Sequence, residues 1–101
     1  MSQASRPLDY SFRDELLRDP ENAAFYLEQV LEGGDIQAFQ EALLNVAKAQ
    51  EGGVSAVAKK AKLNRENLYD ALSRNGKPQM ETVTKTLSAL SLRISITADH
   101  R

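Results

Sequence analysis

The side chains best suited to chemistry in this 101-residue chain lie in one run, LNRENLYDALSRNGKP, from Leu63 to Pro78. Asn64 is a strong helix-capping type. Behind it, Arg65, Glu66 and Asn67 precede Tyr69 and Asp70, with Leu68 and Leu72 available for burial. Arginine bonds bidentately to guanine O6 and N7, asparagine matches adenine, and Glu or Asp accepts from cytosine N4. A helix with these residues at its front, just after a tight turn, suits the edge of another molecule, and the major groove of DNA is the first candidate. Plainer uses exist for the same residues. Arg65 can be a solvated arginine, Asn67 can add to the cap, and Glu66 can favour the helix dipole. Asp70 and Glu66 also repel phosphate.

Other chemistries find no residues to carry them. Cysteine is absent, and the single histidine, His100, lies in the C-terminal tail. No glycine-rich phosphate loop is present, and Asp14-Glu15 and Asp19/Glu21 read as helix starts. The chain is therefore expected to have no metal site, no catalytic set and no cofactor, and not to be an enzyme. No apolar run approaches the roughly 20 residues that span a bilayer, and Met1 to Pro7 has no apolar stretch for a secretory signal. A cytoplasmic protein is the simplest expectation.

Net charge is −1, but the sign is unevenly distributed. Residues 1–53 carry four basic and ten acidic groups, a balance of −6; residues 54–101 carry nine basic and four acidic groups, a balance of +5. A basic half can meet phosphates while an acidic half meets a basic protein.

The elements that must position these residues are mostly helices. Residues 1–12 read as an N-terminal tail in which LDYSF alternates like a short strand, and a short helix is possible through Asp14–Arg18. Asp19-Pro20 is a cap followed by proline at the first helical position. It opens a helix to about Glu32, with Ala23, Ala24, Leu27, Val30 and Leu31 on one face and Gly33-Gly34 ending it. Asp35 caps a second long helix, Ile36 to Gln50, with Phe39, Leu43, Val46 and Ala47 at helical spacing, stopped by Gly52-Gly53. Val54–Lys62 and Arg65–Ser73 follow, and Pro78-Gln79 starts a last helix with Met80, Val83, Leu87 and Leu90 inward. Leu92, Ile94 and Ile96 then alternate with polar residues, a strand pattern over 92–97.

Val54 to Leu72 forms a unit: Val57, Ala58 and Ala61 face Leu68, Ala71 and Leu72 across a turn at Leu63, and the small Ala58 lets two short helices cross closely. That is the arrangement of a helix-turn-helix, spanning 54–73. VSAVAKKAKLNRENLYDALS resembles the helix-turn-helix of the lambda-repressor/Cro-like class. The longer stretch from RDPENAAFYLEQVLEGGDIQAFQEALLNVAKA to SALSLRISI resembles the antitoxins of one type of bacterial addiction module, encoded beside a RelE/HigB-like toxin. The resemblance covers about residues 14–98. It implies a mainly α fold: a lambda-repressor-like bundle of about five helices in a single domain, 13–101, with a short C-terminal β-strand.

Within that resemblance, Ser55 is placed to donate to a phosphate, Tyr69 faces outward toward phosphate, thymine methyl or a second subunit, and Arg74 and Lys77 lie in the loop that contacts the DNA backbone. Arg65, Glu66, Asn67 and Asp70 complete the DNA-binding set. Lys62 stands where the family pattern usually has glycine; a positive φ there would cost on the order of 1 kcal/mol.

Two non-enzymatic activities follow from the resemblance: binding to double-stranded operator DNA with autorepression, and neutralisation of a small basic ribonuclease toxin by direct contact, for which the acidic half is suited. The alternative is a stand-alone Cro-like regulator without a toxin partner, which has no need of the acidic half; a helical adaptor without DNA binding is disfavoured by the +5 half. The apolar edge Leu92, Ile94 and Ile96 has two available partners, the LDYSF segment of the same chain or the same strand of a second subunit, antiparallel across a two-fold axis; the shortness of Leu8–Phe12 favours the second, a homodimer.

Overall fold

The computed structural model describes residues 10–99, which form six helices: α1 (Tyr10–Leu17), α2 (Pro20–Glu32), α3 (Ile36–Ala49), α4 (Gly53–Ala61), α5 (Arg65–Leu72) and α6 (Met80–Ala89). Three starts are local side-chain events. Asp19 Oδ1 accepts from the Glu21 N–H at 2.9 Å, Asp35 Oδ1 from the Ala38 N–H at 3.1 Å, and Asn64 Oδ1 from the Asn67 N–H at 3.0 Å. Each satisfies a donor that the first helical turn leaves without a backbone partner. Gly52, with φ 82°, opens α4. A Cβ there would lie 2.7 Å from that of Ala56, so the turn between α3 and α4 requires glycine twice over.

Helix α3 is the centre of the molecule and packs against α1, α2, α4 and α5, while α6 lies on α4. Leu43, Val46, Ala47 and Ala49 of α3 are fully buried and meet Leu17, Leu27, Val57, Leu68, Leu72, Leu87 and Leu90 in one core. Polar groups in and at the edge of this core are hydrogen-bonded. The Thr86 hydroxyl donates to the Thr82 carbonyl one turn back at 2.7 Å. The Gln50 amide donates to the carbonyls of Leu17 and Val46, and Arg18 Nε donates to the Ala49 carbonyl at 2.7 Å. These bonds hold α1 against the end of α3.

The structure departs from the sequence expectations in several places. Helix α1 begins at Tyr10, so Tyr10, Ser11 and Phe12 are helical and the strand reading of LDYSF is wrong for them; Leu8 and Asp9 lie outside the described residues. A three-residue alternation is equally a helix turn, and a helix satisfies its own backbone groups where no strand is at hand. The described residues hold six helices rather than about five. Leu31 and Met80, expected inward, are 48% and 64% exposed.

The expected C-terminal strand at 92–97 is absent: no strand occurs among the described residues. The cause lies one residue earlier. Ser91 takes the left-handed conformation, φ 66°, and the Leu92 N–H returns to the Leu87 carbonyl at 2.8 Å. This is the six-to-one bond of a Schellman ending, in which the following apolar residue folds back on the helix. Leu92 is accordingly packed against the core. Beyond it Ile94 is half-exposed and Ile96 is 92% exposed, with no neighbouring strand among the described residues to pair with. None of the described helices is long and apolar enough to cross a membrane.

Candidate nucleic-acid interface

Helices α4 and α5 are joined by Lys62, Leu63 and Asn64 and pack against each other and against α3. Lys62 is left-handed, φ 61° and ψ 43°, the same device as at Ser91. The Leu63 N–H returns to the Ala58 carbonyl at 2.8 Å, and Leu63 packs on the core. The turn thus needs a positive φ where glycine is the easy choice and carries lysine instead, at a cost of roughly 1 kcal/mol.

Helix α5 buries only Leu68 and Leu72. Arg65, Glu66, Asn67 and Asp70 are all exposed, as is Ser55 in the first turn of α4. The front of α5 is therefore an open polar surface whose direction is set by the Asn64 cap and the two leucines. Tyr69 is a correction to the expectation of an outward side chain: it is half-buried and its ring packs against the core. Two cations stand at that ring. The Arg65 guanidinium carbon is 5.9 Å from its centroid and Lys48 Nζ is 5.2 Å away. Both lie within the range of a cation–π contact, about 0.5–1 kcal/mol at exposed sites. Tyr69 thus restrains Arg65 rather than projecting beyond it.

Lys48 was not among the sequence candidates. It belongs to α3, in the acidic half, and only the packing of α3 on α5 brings it to the Tyr69 ring that Arg65 also approaches. Gln40 was also missed. Its buried amide donates to the Gly76 carbonyl at 2.9 Å and the Ser73 carbonyl at 3.4 Å. These bonds hold the loop after α5, which carries Arg74 and Lys77. A buried glutamine in an otherwise apolar helix face was the available signal, because a buried amide requires partners. Gly76 makes the same loop tight: a Cβ there would run into the Asp70 and Ala71 carbonyls. Arg74 reaches back to Glu41 Oε1 at 3.5 Å, a loose exposed pair, and Lys77 is exposed.

The DNA-directed candidates Ser55, Arg65, Glu66, Asn67, Asp70, Arg74 and Lys77 are all carried by α4, α5 and the loop behind α5. Leu92, Ile94 and Ile96 lie in the segment after α6, and Leu92 and Ile94 line a groove against α2. Among the described residues no group of three or more His, Cys, Asp or Glu is arranged to hold a metal ion.

Residues 8–98 match the family described as probable addiction module antidote proteins. An uncharacterized protein of Haemophilus influenzae is 35% identical over 82 residues, covering 81% of this chain and 82% of that protein. No solved structure matches the chain. The match spans nearly the whole chain, and the protein belongs to this antidote family. An antidote implies a toxin partner.

Proposed function

We propose that this antidote protein binds operator DNA through α4 and α5, represses its own operon, and neutralises a RelE/HigB-like ribonuclease toxin by direct contact, in the cytoplasm and without catalysis of its own. The observation that carries the DNA reading is the open front of α5: Arg65, Glu66 and Asn67 are exposed together on a helix anchored by Leu68 and Leu72. In this reading α4 and α5 act as a helix-turn-helix of the lambda-repressor/Cro-like class. Arg65 reads guanine, Asn67 reads adenine, and Glu66 and Asp70 accept from cytosine. Ser55, Arg74 and Lys77 hold phosphates, joined by Lys48. Tyr69 acts by steadying Arg65 and Lys48.

The toxin reading is supported by family membership and by the acidic surface of the first three helices. A stand-alone regulator has no need of that surface.

Operators of this class are read by two-fold dimers, with half-sites about one helical turn, roughly 34 Å, apart. Leu92 is committed to its own core, so the dimer contact falls to Ile96 and to the backbone beside it, which meets no strand among the described residues.

Fluorescence anisotropy with the DNA upstream of the gene tests this directly. Arg65→Ala should cost about 1–3 kcal/mol and relax sequence preference, whereas Lys77→Ala should weaken all sequences alike. Equal binding by wild type and the Arg65→Ala/Lys77→Ala double variant at physiological salt would sink the assignment. Sedimentation of the same wild-type sample as a monomer with full operator affinity would remove the dimer.

A further inference from the structure

Helix α2 has a solvent side that does not look like one. Glu21, Phe25, Glu28 and Glu32 recur at i, i+4, i+7 and i+11, which places them along a single side of the helix. All four are exposed, with Phe25 65% exposed, and α2 contains no lysine or arginine. Beside this stripe runs an apolar groove of about 220 Å³. Ala24, Leu27, Glu28 and Leu31 of α2 form one wall, Phe39 and Leu87 contribute from α3 and α6, and the segment from Leu92 to Ser95 forms the other wall. Leu31 and Ile94, on opposite walls, are each about half exposed. The groove is smaller than the roughly 300–1,000 Å³ of small-molecule pockets; it suits one or two side chains of a larger partner.

The charge of the stripe selects the occupant. A two-fold contact with a second copy would set Glu21, Glu28 and Glu32 against the same three carboxylates, and like charges facing each other oppose association. Nucleic acid and anionic lipid surfaces are repelled for the same reason. Arg93 is the one basic residue lining the groove, so the surface remains acidic. A basic protein surface carrying an apolar knob fits both features.

We infer that the α2 stripe and its groove are the docking site of the toxin, with Phe25 and Leu31 as apolar anchors and Glu21, Glu28 and Glu32 pairing with toxin lysines or arginines. This rests on the antitoxin reading above and narrows it to one face. It also brings the chain after α6 into the toxin site: Ile94 shapes the groove while Ile96 stays available for the dimer.

The test titrates the full chain against an inactivated form of the toxin of its own module. Phe25→Ala should weaken binding at least about 30-fold, the loss expected of an aromatic anchor. Replacing Glu21, Glu28 and Glu32 together by glutamine should slow association by about tenfold or more and flatten its salt dependence. Both variants alter exposed side chains, so melting temperature and operator binding should be unchanged. Wild-type binding with both variants within twofold of it overturns this surface while leaving the antitoxin reading intact. A wild type that binds no toxin removes both. A Phe25→Ala protein that sediments as a monomer when wild type is a dimer would assign the stripe to a second copy instead.

Discussion

Helices α2 and α5 are built alike and present different chemistry. Each opens on an Asp or Asn whose side chain accepts from the first turn. Each is held by two buried residues, Ala23 and Leu27 in α2, Leu68 and Leu72 in α5. Each rests on α3. The exposed side of α2 carries three glutamates and a phenylalanine with no cation, whereas that of α5 mixes Arg65 and Asn67 with Glu66 and Asp70, and Lys48 of α3 stands at the Tyr69 ring. The difference teaches that the packing residues set where each surface points, while the residues left over decide what it meets. A purely acidic stripe and a mixed-charge polar surface on a single core give one small protein two chemically distinct faces.

If one core serves both surfaces, damage to it should abolish both at once. Leu43 is completely buried on α3, which touches α1, α2, α4 and α5. Leu43→Ala should cost about 2–5 kcal/mol, measured by thermal unfolding, with toxin and operator binding lost together at elevated temperature. Two separate unfolding transitions, each tracking one activity, would mean that the two surfaces belong to independent units.

A subtler change should separate them. Gln40→Leu removes the amide that serves the Ser73 and Gly76 carbonyls and should cost about 1–3 kcal/mol. Hydrogen exchange in residues 73–79 should accelerate and operator affinity should fall, while toxin affinity holds. Equal losses on both sides would show that Gln40 serves the common core rather than the α5 loop.

The smallest effect has the opposite sign. Lys62→Gly relieves a left-handed lysine and should stabilise the fold by about 1 kcal/mol, a rise of about 4–8 °C in Tm for a domain of this size. A drop in Tm would show that the lysine side chain contributes more than its backbone strain costs.

Much of this was legible before folding. Asp19, Asp35 and Asn64 were each readable as caps, because a cap bonds to an N–H two or three residues along the same chain. The buried positions Leu27, Leu43, Val46, Val57, Leu68, Leu72, Leu87 and Leu90 follow helical spacing, which is also local. The exposed front of α5 is the complement of that spacing. The acidic and basic halves were visible as simple counts.

What the sequence could not decide depends on residues far apart in the chain. The Gln40–Gly76 bond spans 36 positions. Lys48 belongs to the acidic half by number and to the α5 surface by position, because α3 crosses between the two regions. The alternation of Leu92, Ile94 and Ile96 reads as a strand, yet a strand exists only where a second one supplies its hydrogen bonds. The left-handed Ser91 instead turns Leu92 back onto α6. Caps and periodicity come from bonds within one turn of helix, which the chain encodes residue by residue. The groove against α2, the Lys48–Tyr69–Arg65 cluster and the fate of the C-terminal segment come from which surfaces meet after the helices have formed, and only the tertiary structure decides that.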